Sequence, residues 1–587
     1  MLQLKKLTIK GLRSLKGLDL PLQKFDILIG RNNAGKSNTL LAIKLLLEAT
    51  GRDVSLEDFY EGDAGNANEI ELVGEFIIPP EYLILCEERH RTKIQECIED
   101  NKLITRRVIS KTADDKIEVG KLQLWQPDKN EYGLPTGIEN ALKQFLPEVI
   151  FIEAFKDPTQ EAQGKSTATL GKILKQIVGQ VSSQINEDVD GAIKIAARRF
   201  NTFIENNGDL IDERPEELRR VENRIRKHVQ EIFAGSDARL KFNLPKVDDL
   251  IATATVELKD WGPWTLPDGK GQGFQRVLYV ALLQSLAEEL RDEANEVNRP
   301  FILLYEEPEA FLHPALQREI GNILETISNT NQVVIATHSP VLVTSSRLDN
   351  VIILKQQIPP LPHSTQLFIP DPTLAELDED RQLVSLLKLN NTAEFLFSDY
   401  ILVVEGVSDR ALVESCLSKI REGREIKFQA IAVIEAGSKD VVPVWIKHLQ
   451  KMGFPTKGMV DLDFVWNGAN NVLKNYELLG KFGTQFWERM EREGLCETND
   501  EGKHIINKKS EAFRIITSDN EFLPVVEKIR QDLISKDIWA ISKGEIESYF
   551  GLSSSSKNQY IPTSRKVRNG EIPIPDEIKE IIRWLTN

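Results

Sequence analysis

Gly30-Arg31-Asn32-Asn33-Ala34-Gly35-Lys36-Ser37 fits the phosphate-loop pattern G-x-x-x-x-G-K-S. The loop follows the buried-strand pattern Asp26-Ile27-Leu28-Ile29 and precedes a helical pattern from Asn38 to Leu47. Strand, glycine loop and helix in this order let backbone N–H groups cradle phosphates at a helix N-terminus. Asn33 and Gly35 are expected in the cradle, Lys36 on the outer phosphates of ATP, and Ser37 on its magnesium ion.

Two more apolar strands carry partners for this loop. Phe301-Ile302-Leu303-Leu304-Tyr305 ends in Glu306-Glu307. Glu306 is expected near magnesium and Glu307 as the base that orients the attacking water. Val333-Val334-Ile335-Ala336-Thr337 ends at His338, placed to sense the γ-phosphate. Nearly a whole lobe separates the loop from Glu306, and in this the chain resembles ABC-type ATPases of the SMC and repair class. Gly271-Gln272-Gly273-Phe274-Gln275-Arg276 stands where that class carries its signature motif, and Glu309 to Pro314 where its D-loop lies. The resemblance implies that the signature loop of one subunit closes on ATP held by another, so the active unit contains at least two chains. Gln272 replaces the signature serine, which implies slow hydrolysis.

Beyond residue 390 the chemistry changes. Tyr400-Ile401-Leu402-Val403-Val404 ends in Glu405-Gly406, with Asp409 four residues after the glutamate. A further apolar segment leads into Asp461-Leu462-Asp463. Side chains two apart on a strand share a face, so the two aspartates are expected side by side beyond a strand at 458–462. Clustered carboxylates repel unless cations lie between them, and magnesium takes oxygen ligands while keeping waters. Ser542-Lys543-Gly544-Glu545-Ile546-Glu547 completes the set: Lys543 can neutralise charge developing on a phosphate, and Glu547 can join the metal ligands.

The segment 400–409 resembles the opening motif of Toprim domains, and Asp461-Leu462-Asp463 resembles their D-x-D motif. Together the two halves resemble the overcoming lysogenization defect (OLD) family of nucleases, over ATPase motifs from 30 to 339 and Toprim motifs from 400 to 547. The Lys-Gly-Glu-Ile-Glu run is most similar to the branch containing the nuclease subunit of Gabija anti-phage systems and related retron effectors. The resemblance implies a metal-dependent bacterial DNA endonuclease regulated by its ATPase lobe, with manganese able to replace magnesium. Glu405, Asp409, Asp461, Asp463, Lys543 and Glu547 match the family's nuclease motifs. It also implies a homodimer or homotetramer, and a cognate defence component such as a helicase-like protein or a retron.

The bulk numbers agree. A chain of 587 residues suggests roughly two to four domains. The expected fold is α/β: an ABC-type ATPase domain over 1–380, with a helical insertion near 160–235, then a Toprim domain over 381–587 with a mainly parallel sheet. The insertion reads equally as a helical subdomain or a dimerisation arm. No apolar run approaches the about 18 residues that cross a bilayer, and the N-terminus lacks a signal-peptide pattern. Cys86, Cys97, Cys416 and Cys496 have no metal-ligand spacing, which suits a reducing cytoplasm. A net charge of −16 speaks against a dedicated nucleic-acid coat protein but leaves a nuclease open, since that binds through local patches. Tyr549 and Tyr560 lack a supporting pattern, which argues against a topoisomerase. Two alternatives stay open: a Toprim effector that cuts RNA, and a non-cutting, ATP-dependent DNA-binding or sensing machine.

Overall fold

Phe25–Ile29 is buried at every residue and forms an inner strand of a six-stranded sheet. The order across that sheet is Glu148–Ile152, Phe301–Glu306, Gln332–Ala336, Phe25–Ile29, Val351–Gln356 and Thr365–Phe368, all parallel except the last. The computed structural model describes residues 2–153, 210–232, 263–275, 299–343, 350–356 and 394–586, with shorter pieces between and a few positions within these spans outside the description.

The helix Lys36–Glu48 leaves the phosphate loop and is buried along most of its length. It packs between the parallel sheet and a second, eight-stranded antiparallel sheet. In that second sheet Gln3–Leu12 pairs with both Leu15–Pro21 and Glu69–Ile77, and Glu69–Ile77 pairs with Lys102–Lys111. Glu69–Ile77 alternates buried and partly exposed residues, as a strand with one face on a core must. Buried Arg107 donates to the carbonyls of Leu46 (2.8 Å) and Leu47 (3.2 Å), so a guanidinium satisfies helix-end acceptors that have no intrahelical partner.

The expected helical insertion lies mostly outside the described residues, as does the division near residue 380. Within the described part, Glu216–Ile232 is a helix. Phe203–Ile204 and Leu210–Ile211 pair as a small antiparallel ribbon in the same stretch.

The C-terminal sheet has four strands in the order Ile431–Glu435, Tyr400–Val404, Thr456–Val460 and Ile538–Ala540, all parallel. Such an order has its switch point between Tyr400–Val404 and Thr456–Val460, where ligands bind beyond the carboxyl ends of the strands. Three helices, Glu477–Arg492, Lys509–Ser518 and Phe522–Ile534, are inserted before the last strand. The strand expected at 458–462 ends at Val460, because Phe464 N bonds back to Asp461 O (3.1 Å) and opens a 3-10 turn.

One continuous apolar core joins the two parallel sheets. It includes Ile27, Leu303 and Val333 on one side and Ile401, Val403 and Phe454 on the other. Pro340–Leu342, two residues past His338, packs on Glu394–Phe397, which in turn packs on Ile431–Glu435. A charged contact runs parallel to this seam: Arg31 Nη1 of the phosphate loop lies 3.0 Å from Asp399, the residue before Tyr400. Among the described residues no helix is long and apolar enough to cross a membrane.

Candidate active sites

At the phosphate loop, the backbone conformation explains the glycines. Gly35 caps the helix at φ +100, and Gly30 has φ +151 with a Cβ position only 2.3 Å from Leu354 O. Asn33 is left-handed at φ 66, and Ser37 is exposed in the first turn of the helix. Lys36 Nζ donates to Gly30 O (3.0 Å) and Arg31 O (3.1 Å), and lies 2.7 Å from His338 Nε2. His338 Nε2 is 3.6 Å from Glu307, whose N–H bonds Ala336 O. The Lys36, Glu307 and His338 expected from sequence therefore meet at one point.

Burial sets the charges there. It pulls the Lys36 ammonium down to about 8 against the opposing pull of Glu307, Glu309 and Glu306. Burial, then Glu309, pushes the Glu307 carboxyl up to about 8. His338 is held below its ordinary value by burial and by Lys36. Glu309 was not among the expected site residues, yet it accepts from His338 N (2.8 Å). Its position three residues beyond Glu306, at the head of the D-loop segment, was the available signal. Gln272 is exposed, and neighbouring Gly273 packs so closely on Phe311 O that a Cβ would sit at 3.0 Å, which joins the signature segment to the D-loop segment.

The second site lies at the switch point of the four-stranded sheet. Glu405 follows the strand Tyr400–Val404 and accepts from Asp461 N (2.8 Å), which follows the neighbouring strand. Asp409, in the first turn of Val407–Glu422, accepts from Gly406 N (2.8 Å). Burial, then Asp463, pushes the Glu405 carboxyl up to about 7. Burial, then Glu547 and Glu405, pushes Asp409 up to about 7. Asp461 is driven well above the carboxylate range by burial and by Asp409, Glu405 and Asp463. All five expected carboxylates thus converge, although the D-x-D pair does so through a turn and not through strand alternation.

Two lysines that the sequence did not single out face the same cluster. Lys439 Nζ lies 2.7 Å and Lys509 Nζ 3.0 Å from Asp463 Oδ2. The other oxygen, Asp463 Oδ1, is buried with no hydrogen-bond partner. Lys439 follows closely on the strand Ile431–Glu435, beside the switch point, whereas nothing local marks Lys509. Lys543 is exposed, with its ammonium 5.3 Å from the Tyr549 ring centroid, and makes no ion pair among the described residues. Its loop is tied to the cluster through Leu462 N, which donates to Gly544 O (2.8 Å). Gly544 has φ +100 and a Cβ position 2.7 Å from Phe513, so only glycine fits that turn.

The donor set suits a hard divalent cation: oxygens only, like charges crowded together, and one buried oxygen left unpaired. Away from both sites, donor atoms of Cys496, Glu491 and His504 come within 4.8 Å of one another. His504 is already engaged by Glu491 (3.3 Å) and Thr498 (3.2 Å), which accounts for that exposed group.

These shifts have a measurable consequence. Between the ordinary carboxylate range and about pH 7 the folded cluster holds protons that an unfolded chain has lost. Raising the pH through that window therefore erodes stability, while cation binding, which needs the ionised groups, strengthens. Without metal the thermal midpoint should fall from about pH 6 to about pH 8, and magnesium should recover most of the loss. Asp409→Asn should flatten both trends in differential scanning fluorimetry; a wild-type midpoint insensitive to magnesium at the higher pH would contradict the assignment.

Comparison with known proteins agrees with this geometry. The model of the AAA ATPase domain family matches residues 2–118 and 89–343. The model described as overcoming lysogenization defect protein-like, TOPRIM domain, matches 396–463. The chain is 27% identical over 618 residues to the Old nuclease of Escherichia phage P2, covering 99% of this chain and 100% of that protein. It is 23% identical to the OLD nuclease of Thermus scotoductus, covering 79% and 82%. It is also 23% identical to endonuclease GajA of Bacillus cereus, covering 72% and 68%. An ATPase domain and a Toprim domain imply use of a nucleotide and of a divalent metal. Joined in this order, with both sets of site residues assembled, they identify the chain as a member of the overcoming lysogenization defect family of ATPase-linked nucleases.

Proposed function

We propose that this protein is a metal-dependent DNA endonuclease under nucleotide control, acting in bacterial anti-phage defence in the cytoplasm. The observation that carries the reading is the convergence of five carboxylates at the switch point, with Asp463 Oδ1 buried and unpaired. Glu405, Asp409, Asp461, Asp463 and Glu547 are the residues to hold magnesium, or manganese in its place. Bound there, such ions supply an activated water and charge compensation at the leaving oxygen. Lys439 and Lys509 pair with Asp463, and Lys543 offsets charge on the phosphate. DNA as substrate is supported by the relative named an endonuclease. The proposed division is an ATPase domain over 1–380 and a Toprim domain over 381–587.

Nucleotide control has a physical route in the ion pair of Arg31 with Asp399. Arg31 belongs to the loop that cradles phosphates, so a bound nucleotide competes for its guanidinium. Asp399 also accepts from Ala430 N (2.8 Å), so releasing it perturbs the start of the two strands that carry Glu405 and Glu435. Assembly through the ATPase lobes is supported by exposed Trp264, Phe274 and Phe311, which lie on or beside the signature and D-loop segments. A homodimer, or a tetramer built from two, covers them and completes the nucleotide site, and a helicase-like or retron component is the further partner proposed.

Supercoiled plasmid, linear DNA and RNA, each with magnesium or manganese and with or without ATP, test the central claim. DNA cleavage is expected; cleavage of RNA alone, or of nothing, overturns it. Glu405→Ala and Asp463→Ala should each lower the rate by at least about a hundredfold, since even residues behind a metal ligand contribute that much. Asp399→Ala should bind ATP normally but lose the response of cleavage to ATP, whereas Lys36→Ala should lose both. Retention of the response in Asp399→Ala would remove the proposed route. Light scattering should give at least twice 66.5 kDa; a monomer with and without ATP would end the dimer model.

A further inference from the structure

The helix Lys509–Ser518 belongs to the insertion, and nothing in the phosphate-loop or Toprim motifs anticipates a role for it. Ser510, Phe513, Arg514 and Thr517 follow one another at three- and four-residue steps, so they share a face. That face forms one wall of a cleft of about 350 Å³, and the segment from Ser542 to Leu552, with Lys543, forms the other. The cleft neighbours the carboxylate cluster: Ser510 in its wall follows Lys509, the first residue of the helix, which lies 3.0 Å from Asp463.

The charges in this cleft are unusual for the molecule. Net charge is −16, yet Arg514 and Lys543 face the same space, both are exposed, and neither forms an ion pair among the described residues. Two unpaired cations held across a cleft repel each other and gain when an anion enters. Glu545, the one acid in the lining, is drawn toward the cluster, where it acts on both Asp461 and Lys509. Hydroxyl groups of Ser510 and Ser542 add polar lining. A cation-lined space beside the proposed cutting centre suits the phosphodiester backbone of the strand being cut.

We propose that this cleft is the track for nucleic-acid backbone phosphates next to the scissile one, with Arg514 holding a flanking phosphate. Lys509, at the junction of track and cluster, positions that strand over Asp463. This inference rests on the nuclease reading for its substrate, and the test separates the two.

Fluorescence anisotropy of a labelled DNA duplex is measured in EDTA over a salt series, with no cleavage to confound it. Arg514→Ala should weaken binding about tenfold and make the salt dependence shallower by about 0.9, the loss of one phosphate contact. Arg514→Lys should restore the slope. Lys481→Ala, on another helix of the same insertion and outside the cleft, should match wild type. In cleavage assays Arg514→Ala should raise KM and keep kcat. Equal affinity and slope for Arg514→Ala and wild type would overturn the track. Wild-type protein that binds with the Arg514-dependent slope but cuts nothing would overturn the nuclease reading and uphold the track.

Discussion

Like charges pressed together at the carboxyl ends of parallel strands are the constraint around which the Toprim half is organised. Glu405, Asp409 and Asp461 are each shifted upward first by burial and then by neighbouring carboxylates: Asp463 at Glu405, Glu547 at Asp409, and Asp409 at Asp461. A sheet tolerates this only if compensation is supplied nearby. Part comes from backbone donors, as Gly406 N to Asp409 and Asp461 N to Glu405. Part comes from Lys439 and Lys509 on Asp463. The remainder stays uncompensated by protein groups, and such a surplus of negative charge favours cation binding.

The nucleotide site solves the same problem with a different balance. There the cation is intrinsic: Lys36 sits among Glu306, Glu307 and Glu309, folded back on its own loop and on His338. An arriving phosphate must take Lys36 away from the Gly30 and Arg31 carbonyls. Since Arg31 also reaches Asp399, the empty loop is tied at both ends, to itself and to the other lobe. Beside these ties the two lobes share one apolar core, and Pro340–Leu342 packs on Glu394–Phe397 at the seam.

What was legible in the sequence was local. A phosphate loop is contiguous, and its strand, turn and helix are dictated by neighbouring residues, so Gly30 to Ser37 could be read directly. Glu405, Asp461 and Lys543 were legible because each follows an apolar run closely. Lys509 was not, because its contact with Asp463 spans an insertion whose packing no periodicity reveals. Glu309 was hidden for a different reason: its role depends on a left-handed turn at Glu307 and Phe311 that swings it under His338. Asp461 and Asp463 show that a correct grouping can come from the wrong geometry, since a 3-10 turn brings them together where strand alternation was expected.

The loop carrying Lys543 is anchored from far along the chain. Glu577, on the helix Asp576–Thr586, accepts from Ser542 N (3.0 Å), Trp539 Nε1 (2.9 Å) and Arg530 Nη2 (2.7 Å), and pairs with Tyr549, whose hydroxyl accepts from Lys543 N. The Lys543 loop therefore takes its shape only when a helix from well beyond it in the chain docks on it. A loop held by a distant helix moves when that helix shifts, so the place of Lys543 is set by packing at Asp576–Thr586 more than by its own sequence neighbours.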